Sequence, residues 1–108
     1  MVDIGGRLVA ALRMDGNGSG AMDFALAKAE AAAAWGFPTT QMAEAVREPV
    51  PGFAHAPHVV TVGGGLPLWS ADGKVRLGAI GVSGGREADD VSCAEAGIRA
   101  GRLRSSRS

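Results

Sequence analysis

Leu8, Ala10, Leu12 and Met14 alternate along the chain with Arg7, Val9, Ala11 and Arg13. That period-two pattern predicts a strand over residues 7–14 with one side facing a core. The preceding Asp3-Ile4-Gly5-Gly6 has the chemistry of a tight turn between paired strands, which leaves only Met1 and Val2 as the other arm. After the loop Asp15-Gly16-Asn17-Gly18-Ser19-Gly20, an alanine-rich run containing Leu26 and Lys28 predicts a helix over 21–35. Gly36 ends it and Pro38 blocks its continuation. Thr39 or Thr40 can cap a second short helix reaching about residue 46. Pro49, Pro51 and Pro57 then impose an extended connection carrying both histidines, His55 and His58.

Residues 59–62 predict a short strand. Past Gly63-Gly64-Gly65, apolar runs at 66–69 and 75–83 flank Ala71-Asp72-Gly73-Lys74, and Asp-Gly between two such runs signals a hairpin. Gly84-Gly85 interrupts the second run. Glu87, Asp89 and Asp90 then occupy the first turn of a last helix, running to about residue 101, where carboxylates suit the positive end of the dipole.

Composition narrows the class. A chain of 108 residues, 46% hydrophobic and 20% charged, fits one globular domain, expected over 1–101. Arg102, Arg104 and Arg107 give residues 102–108 the character of a flexible basic tail. Eleven basic residues balance eleven acidic ones, so no bulk field draws the chain to nucleic acid or an anionic membrane. Cys93 is the single cysteine, which excludes an internal disulfide and a thiolate-cluster metal site. With no signal-peptide-like start and no apolar run of ~20 residues, a reducing, cytoplasmic location away from the membrane is expected.

Gly6-Arg7-Leu8-Val9-Ala10, Arg13-Met14-Asp15-Gly16, Lys28-Ala29, Gly64-Gly65-Leu66-Pro67-Leu68, Asp72-Gly73 and Gly78-Ala79-Ile80-Gly81-Val82-Ser83-Gly84-Gly85 occur in this order, followed by Asp90 with Ala94, Ala96 and Gly97. The set resembles the GlcG/HbpS family, which also includes the C-terminal domain of PduO-type proteins. The resemblance implies an α+β, profilin-like fold: an antiparallel sheet flanked by helices, assembled into dimers or larger rings. It further implies that the family's first helix and first strand are missing ahead of Val2. The strand expected over 7–14 would then border a vacant place, which predicts a homo-oligomer or a complex with a chain that supplies the absent strand.

Several residues could carry chemistry. His55 and His58 can ligate haem iron, although a surface role is the plainer reading of both. Paired cysteines followed by histidine are absent, so any haem would be held non-covalently. Arg13 could clamp a haem propionate or a small organic acid, or else pair with Asp15 or Asp90. Lys28 could be a second cation at the same mouth; its default is a solvated helix position. Gly63-Gly64-Gly65 and Gly84-Gly85 lack a phosphate-loop ending, and Ser83 lacks the nucleophile elbow. Cys93 is expected to be a buried, inert thiol. Two functions remain open: a small-molecule-binding protein that takes haem or a related tetrapyrrole, and an enzyme or accessory protein of small-acid or aromatic catabolism. In the second, Asp15, Asp90 or a histidine would serve as acid or base.

Overall fold

The computed structural model describes residues 1–47 and 52–108; Pro49 and Pro51 of the expected connection lie outside the described residues. The elements are β1 (Val2–Asp3), α1 (Ser19–Trp35), α2 (Thr39–Arg47), a 3-10 turn (Phe53–His55), β2 (Gly65–Trp69), β3 (Arg76–Gly81) and α3 (Glu87–Ala100). The strands form one antiparallel sheet in the order β1-β3-β2, so the architecture is α+β.

The two sides of the sheet are covered by different helices, and β3 shows why. Successive side chains on a strand point to opposite faces. Ala79 packs with Val2 against Ala29, Ala32 and Ala33 of α1. Its neighbour Ile80 packs instead with Leu66, Leu68, Ala94 and Ile98, a cluster that α3 closes. The first interface is built from small side chains, which lets helix and sheet approach closely. At Gly81 the approach becomes obligatory, because a Cβ there would overlap the Ala25 carbonyl oxygen. Helix α1 stops at Gly36, whose positive φ of 80° lets its N–H turn back to the Ala32 carbonyl at 2.9 Å, the left-handed cap expected of glycine.

The β2–β3 hairpin closes as its Asp-Gly turn predicts. The Ser70 N–H donates to the Val75 carbonyl and the Gly73 N–H to the Ser70 carbonyl, both at 2.8 Å. Asp72 Oδ1 accepts from the Ser70 hydroxyl at 2.6 Å and from the Lys74 N–H at 3.0 Å.

Three expectations are corrected. Residues 7–14 are not a strand: only Leu8 bridges, to Val2. The N–H groups of Val9 and Ala10 both converge on the Met1 carbonyl. β1 is two residues long, so beyond Ala10 the segment has no backbone template, and Leu8, Val9, Leu12 and Met14 stay 59–87% exposed. Residues 59–62 form no strand either. At the outer edge of β2 it is Arg104 that bridges Trp69. Consequently residues 102–108, expected as a flexible tail, are docked. Trp69 and Arg104 exchange backbone hydrogen bonds of 2.7 and 3.0 Å, and the Ser108 N–H reaches the Gly73 carbonyl at 3.1 Å. An unpaired sheet edge supplies donors and acceptors for such docking. Among the described residues, no helix is long and apolar enough to cross a membrane.

Candidate functional site

β1 pairs with β3 at Gly78 and Ala79 alone, so the far end of β3 runs past it and leaves a gap between α1, α3 and residues 8–14. Two adjoining cavities of about 220 and 430 Å³ fill this gap. They share Leu12, Met22, Ala25, Gly81 and Cys93 and therefore make one cleft. Its walls are mainly apolar, and the polar side chains of Arg13, Asn17 and Ser83 line the smaller cavity. An apolar hollow with few convergent polar groups is the usual form of a small-molecule site.

Arg13 is exposed and in no ion pair among the described residues. The pairing with Asp90 considered for it does not occur, because Asp90 belongs to Lys28. That lysine is not the solvated helix position expected by default: it is 1% exposed. Its Nζ donates to the Val82 carbonyl at 2.8 Å and to Asp90 Oδ2 at 3.3 Å, and lies 4.7 Å from the centroid of the Phe24 ring. Asp90 Oδ1 in turn accepts the Gly85 N–H at 3.1 Å, and one turn earlier Glu87 Oε1 accepts the Gly63 N–H at 2.7 Å. The buried charges are thus paired and hydrogen-bonded, as burial demands. This knot ties α1, the end of β3 and the start of α3 together behind the cleft wall. Lys28 supports the cleft; it is not a free cation within it.

The histidines lie elsewhere. His55 ends the exposed 3-10 turn, and His58, with a positive φ of 60°, borders a separate hollow of about 210 Å³ beside Ile4, Glu30 and Ala34. Of the four residues singled out in the sequence, only Arg13 lines the cleft. Cys93, expected to be buried, is exposed and lines both of its cavities. Its position on α3 follows from the helical period: Ala94 and Ile98 take the buried face, so the residue before Ala94 is turned outward to the side. The run Phe24, Lys28, Ala29, Ala32 also held a signal for the buried lysine, since a long side chain on the small-residue face of a helix has only the sheet to meet. Among the described residues, no three His, Cys, Asp or Glu side chains converge as a metal centre.

A family described as "Haem degrading protein HbpS-like" matches residues 1–99. Among solved structures, a PduOC:heme complex matches with a TM-score of 0.85 and 26% identity, over 98% of this chain and 78% of that one. The protein ORFY of Klebsiella pneumoniae, of family DUF336, matches at 0.81 and 29%, over 91% and 69% of the two chains. A double mutant of HbpS from Streptomyces reticuli matches at 0.80 and 31%, over 92% and 66%. No curated protein matches.

Proposed function

Because the chain belongs to the HbpS-like family, we propose that it binds haem or a related flat tetrapyrrole non-covalently in the cleft between α1, β3 and α3. The observation that carries this reading is the cleft itself, with apolar walls and, among its lining groups, the guanidinium of Arg13, which forms no ion pair among the described residues. A macrocycle would bury its apolar faces against Leu12, Met22 and Ala25, and Arg13 would meet a propionate in a bidentate, charge-assisted contact. The lining residues fit such a group chemically. The thiol of Cys93 and the thioethers of Met14 and Met22 line the cleft, and both kinds of sulfur ligate haem iron in other proteins. Bound haem would supply redox-active iron; the protein's own part is to bury the ring, orient it and exclude water. A solved relative in complex with haem supports the same ligand class.

Self-association belongs to this reading. The segment that forms the outer wall of the cleft leaves Leu12 at 87% and Met14 at 70% exposure, and large apolar side chains exposed near one another favour a partner. A second copy covering it would also enclose the ligand.

Titration of the protein with hemin tests the proposal. A saturable Soret shift is expected, weakened by Arg13→Gln and unchanged by His55→Ala or His58→Ala. No shift beyond that given by an unrelated protein would overturn it. Loss of the shift in a histidine variant alone would move the ligand from the cleft to the face that carries His58.

A further inference from the structure

We propose that the protein has a second ligand site, separate from the cleft, that takes a small planar organic anion such as an aromatic carboxylate. The site is a hollow of about 380 Å³ between the end of α1, the start of α2, the β2–β3 hairpin and residues 105–107. Its lining includes Trp35, Phe37, Gln41, Trp69, Arg76 and Arg107. Two guanidinium groups and three aromatic rings therefore meet in one place, and among the described residues no carboxylate side chain is part of the lining.

The state of Arg76 is the main argument. Among the described residues its buried Nε has no hydrogen-bond partner, and the side chain makes no ion pair. A buried N–H on a permanently charged group is costly to leave unmet, and groups left so in a folded protein commonly face a ligand, ion or water. The chain is shaped around this side chain: Gly36 abuts the guanidinium so closely that a Cβ would overlap it. Arg107 stands over Trp69, 5.2 Å from the ring centroid, a cation–π placement that leaves the edge of its fork available.

The aromatic rings set the shape of the ligand. Trp35 is oriented by its Nε1–H, which donates to the Pro57 carbonyl at 2.9 Å, and by an edge-on contact with Phe53, whose ring also stacks with Phe37. Rings held in this way offer a flat apolar surface, while an arginine fork matches the two oxygens of a carboxylate. A bare phosphate would use the arginines but leave the aromatic surface wet. A benzoate-like anion would use both.

Both tryptophans of the chain line this hollow, so tryptophan emission reports on it directly. Titration with benzoate is expected to give a saturable change, with benzamide, acetate and inorganic phosphate each binding at least about tenfold more weakly. Arg76→Gln is expected to weaken benzoate by about tenfold or more, the usual size of a lost hydrogen bond to a charged group. Arg107→Gln is expected to weaken it several-fold. Arg107 is exposed, so its variant keeps the test decisive if Arg76→Gln does not fold. No saturable response up to about 10 mM benzoate, phosphate binding as tightly as benzoate, or unchanged binding in Arg107→Gln would overturn the proposal. Arg13→Gln should leave benzoate binding intact, which separates this result from failure of the haem reading.

Discussion

Residues 7–14 and β3 make an instructive pair. The first segment has a period-two side-chain pattern, interrupted by the apolar Val9 and Ala11, and carries four large apolar residues that stay exposed. The second contains two glycines and an arginine within six residues, a composition that weakens a strand in isolation. Yet β3 is the centre of the sheet, and 7–14 holds a single bridge. The difference lies in backbone partners. β3 is paired on one side by β1 and on the other by β2, and beyond it the Val82 N–H donates to the Gly64 carbonyl at 2.9 Å while its carbonyl accepts from Lys28. Its glycines serve close packing, with α1 lying almost on the backbone at Gly81. Side-chain pattern selects which face a strand presents, whereas the strand exists only where neighbours satisfy its amides and carbonyls. The cleft owes its form to this contrast: one wall is β3 and α1, closely packed, and the other is a segment held at its near end by Met1, Val2 and Asp3.

The largest test of that contrast acts on the anchor at the end of β3. Lys28→Met removes the ammonium and leaves the Asp90 carboxylate buried beside an apolar side chain. Breaking a buried pair from one side costs about 3–5 kcal/mol, to be read by urea denaturation. A loss under about 1 kcal/mol would mean that the knot does not hold β3. Gly81→Ala comes next. The added methyl group must displace the Ala25 carbonyl region of α1, and overpacking of this kind costs about 1–3 kcal/mol. Both losses should appear in the same cooperative transition, because the two sites share one helix.

On the other side of the comparison, Leu12→Ser should change the stability of the folded monomer by less than about 0.5 kcal/mol, as surface substitutions do. Its effect should fall on association. Light scattering at low micromolar concentration is expected to find a dimer or larger species in the parent chain and a shift toward monomer in Leu12→Ser. A well-folded parent monomer near the 10.9 kDa chain mass would show that the exposed edge needs no partner. Equal destabilisation by Leu12→Ser and Gly81→Ala would erase the distinction between the two regions.

The same physics explains what could be read from the sequence. The helices were legible because their signals are local: alanine content and Gly36 for α1 and acidic residues at the start of α3. The threonine expected to cap α2 does otherwise, since Thr39 lies within the helix and its hydroxyl accepts the Gly65 N–H at 3.0 Å. The β2–β3 hairpin was legible through Asp72-Gly73. What failed depended on tertiary neighbours. Residues 7–14 and 59–62 have strand-like side chains, but only the assembled sheet decides which segments find an edge. Asp90 could be suspected of pairing, yet whether Arg13 or Lys28 would meet it depends on α1 crossing the end of β3, a contact 62 positions apart in the chain. Arg13 lies at the cleft by its place near the end of the edge segment, whereas His55 and His58 have suitable chemistry alone, and the fold carries them to another side. Arg76 carries no signal in the sequence, because an arginine at the start of a strand is ordinary until its surroundings are known.

The smallest effect expected concerns the turn that gives β3 its partner β2. The Ser70 hydroxyl, and after it the Lys74 N–H, donate to Asp72 and hold its carboxyl below the ordinary value of 3.8. A carboxyl lowered in the folded state stabilises it fully above the unfolded value and loses that contribution as pH falls through the folded one. Asp72→Asn keeps an oxygen acceptor for both donors but removes the charge. The parent chain should therefore be slightly more stable than Asp72→Asn at neutral pH, and the gap should close below about pH 4. Because this carboxyl is fully exposed, solvent screens the effect and keeps it small. Asp3 is the matched residue at the other turn, accepting the N–H groups of Gly5 at 2.9 Å and Arg7 at 3.0 Å with Oδ1. Asp3→Ala should speed amide exchange at Val9 and Ala10 and leave the β3 amides unchanged, whereas Asp72→Ala should speed exchange in β3 near Arg76. Exchange that rose in both segments with either variant would mean that the edge and the central strand open as one unit, and the contrast between them would then concern side chains only.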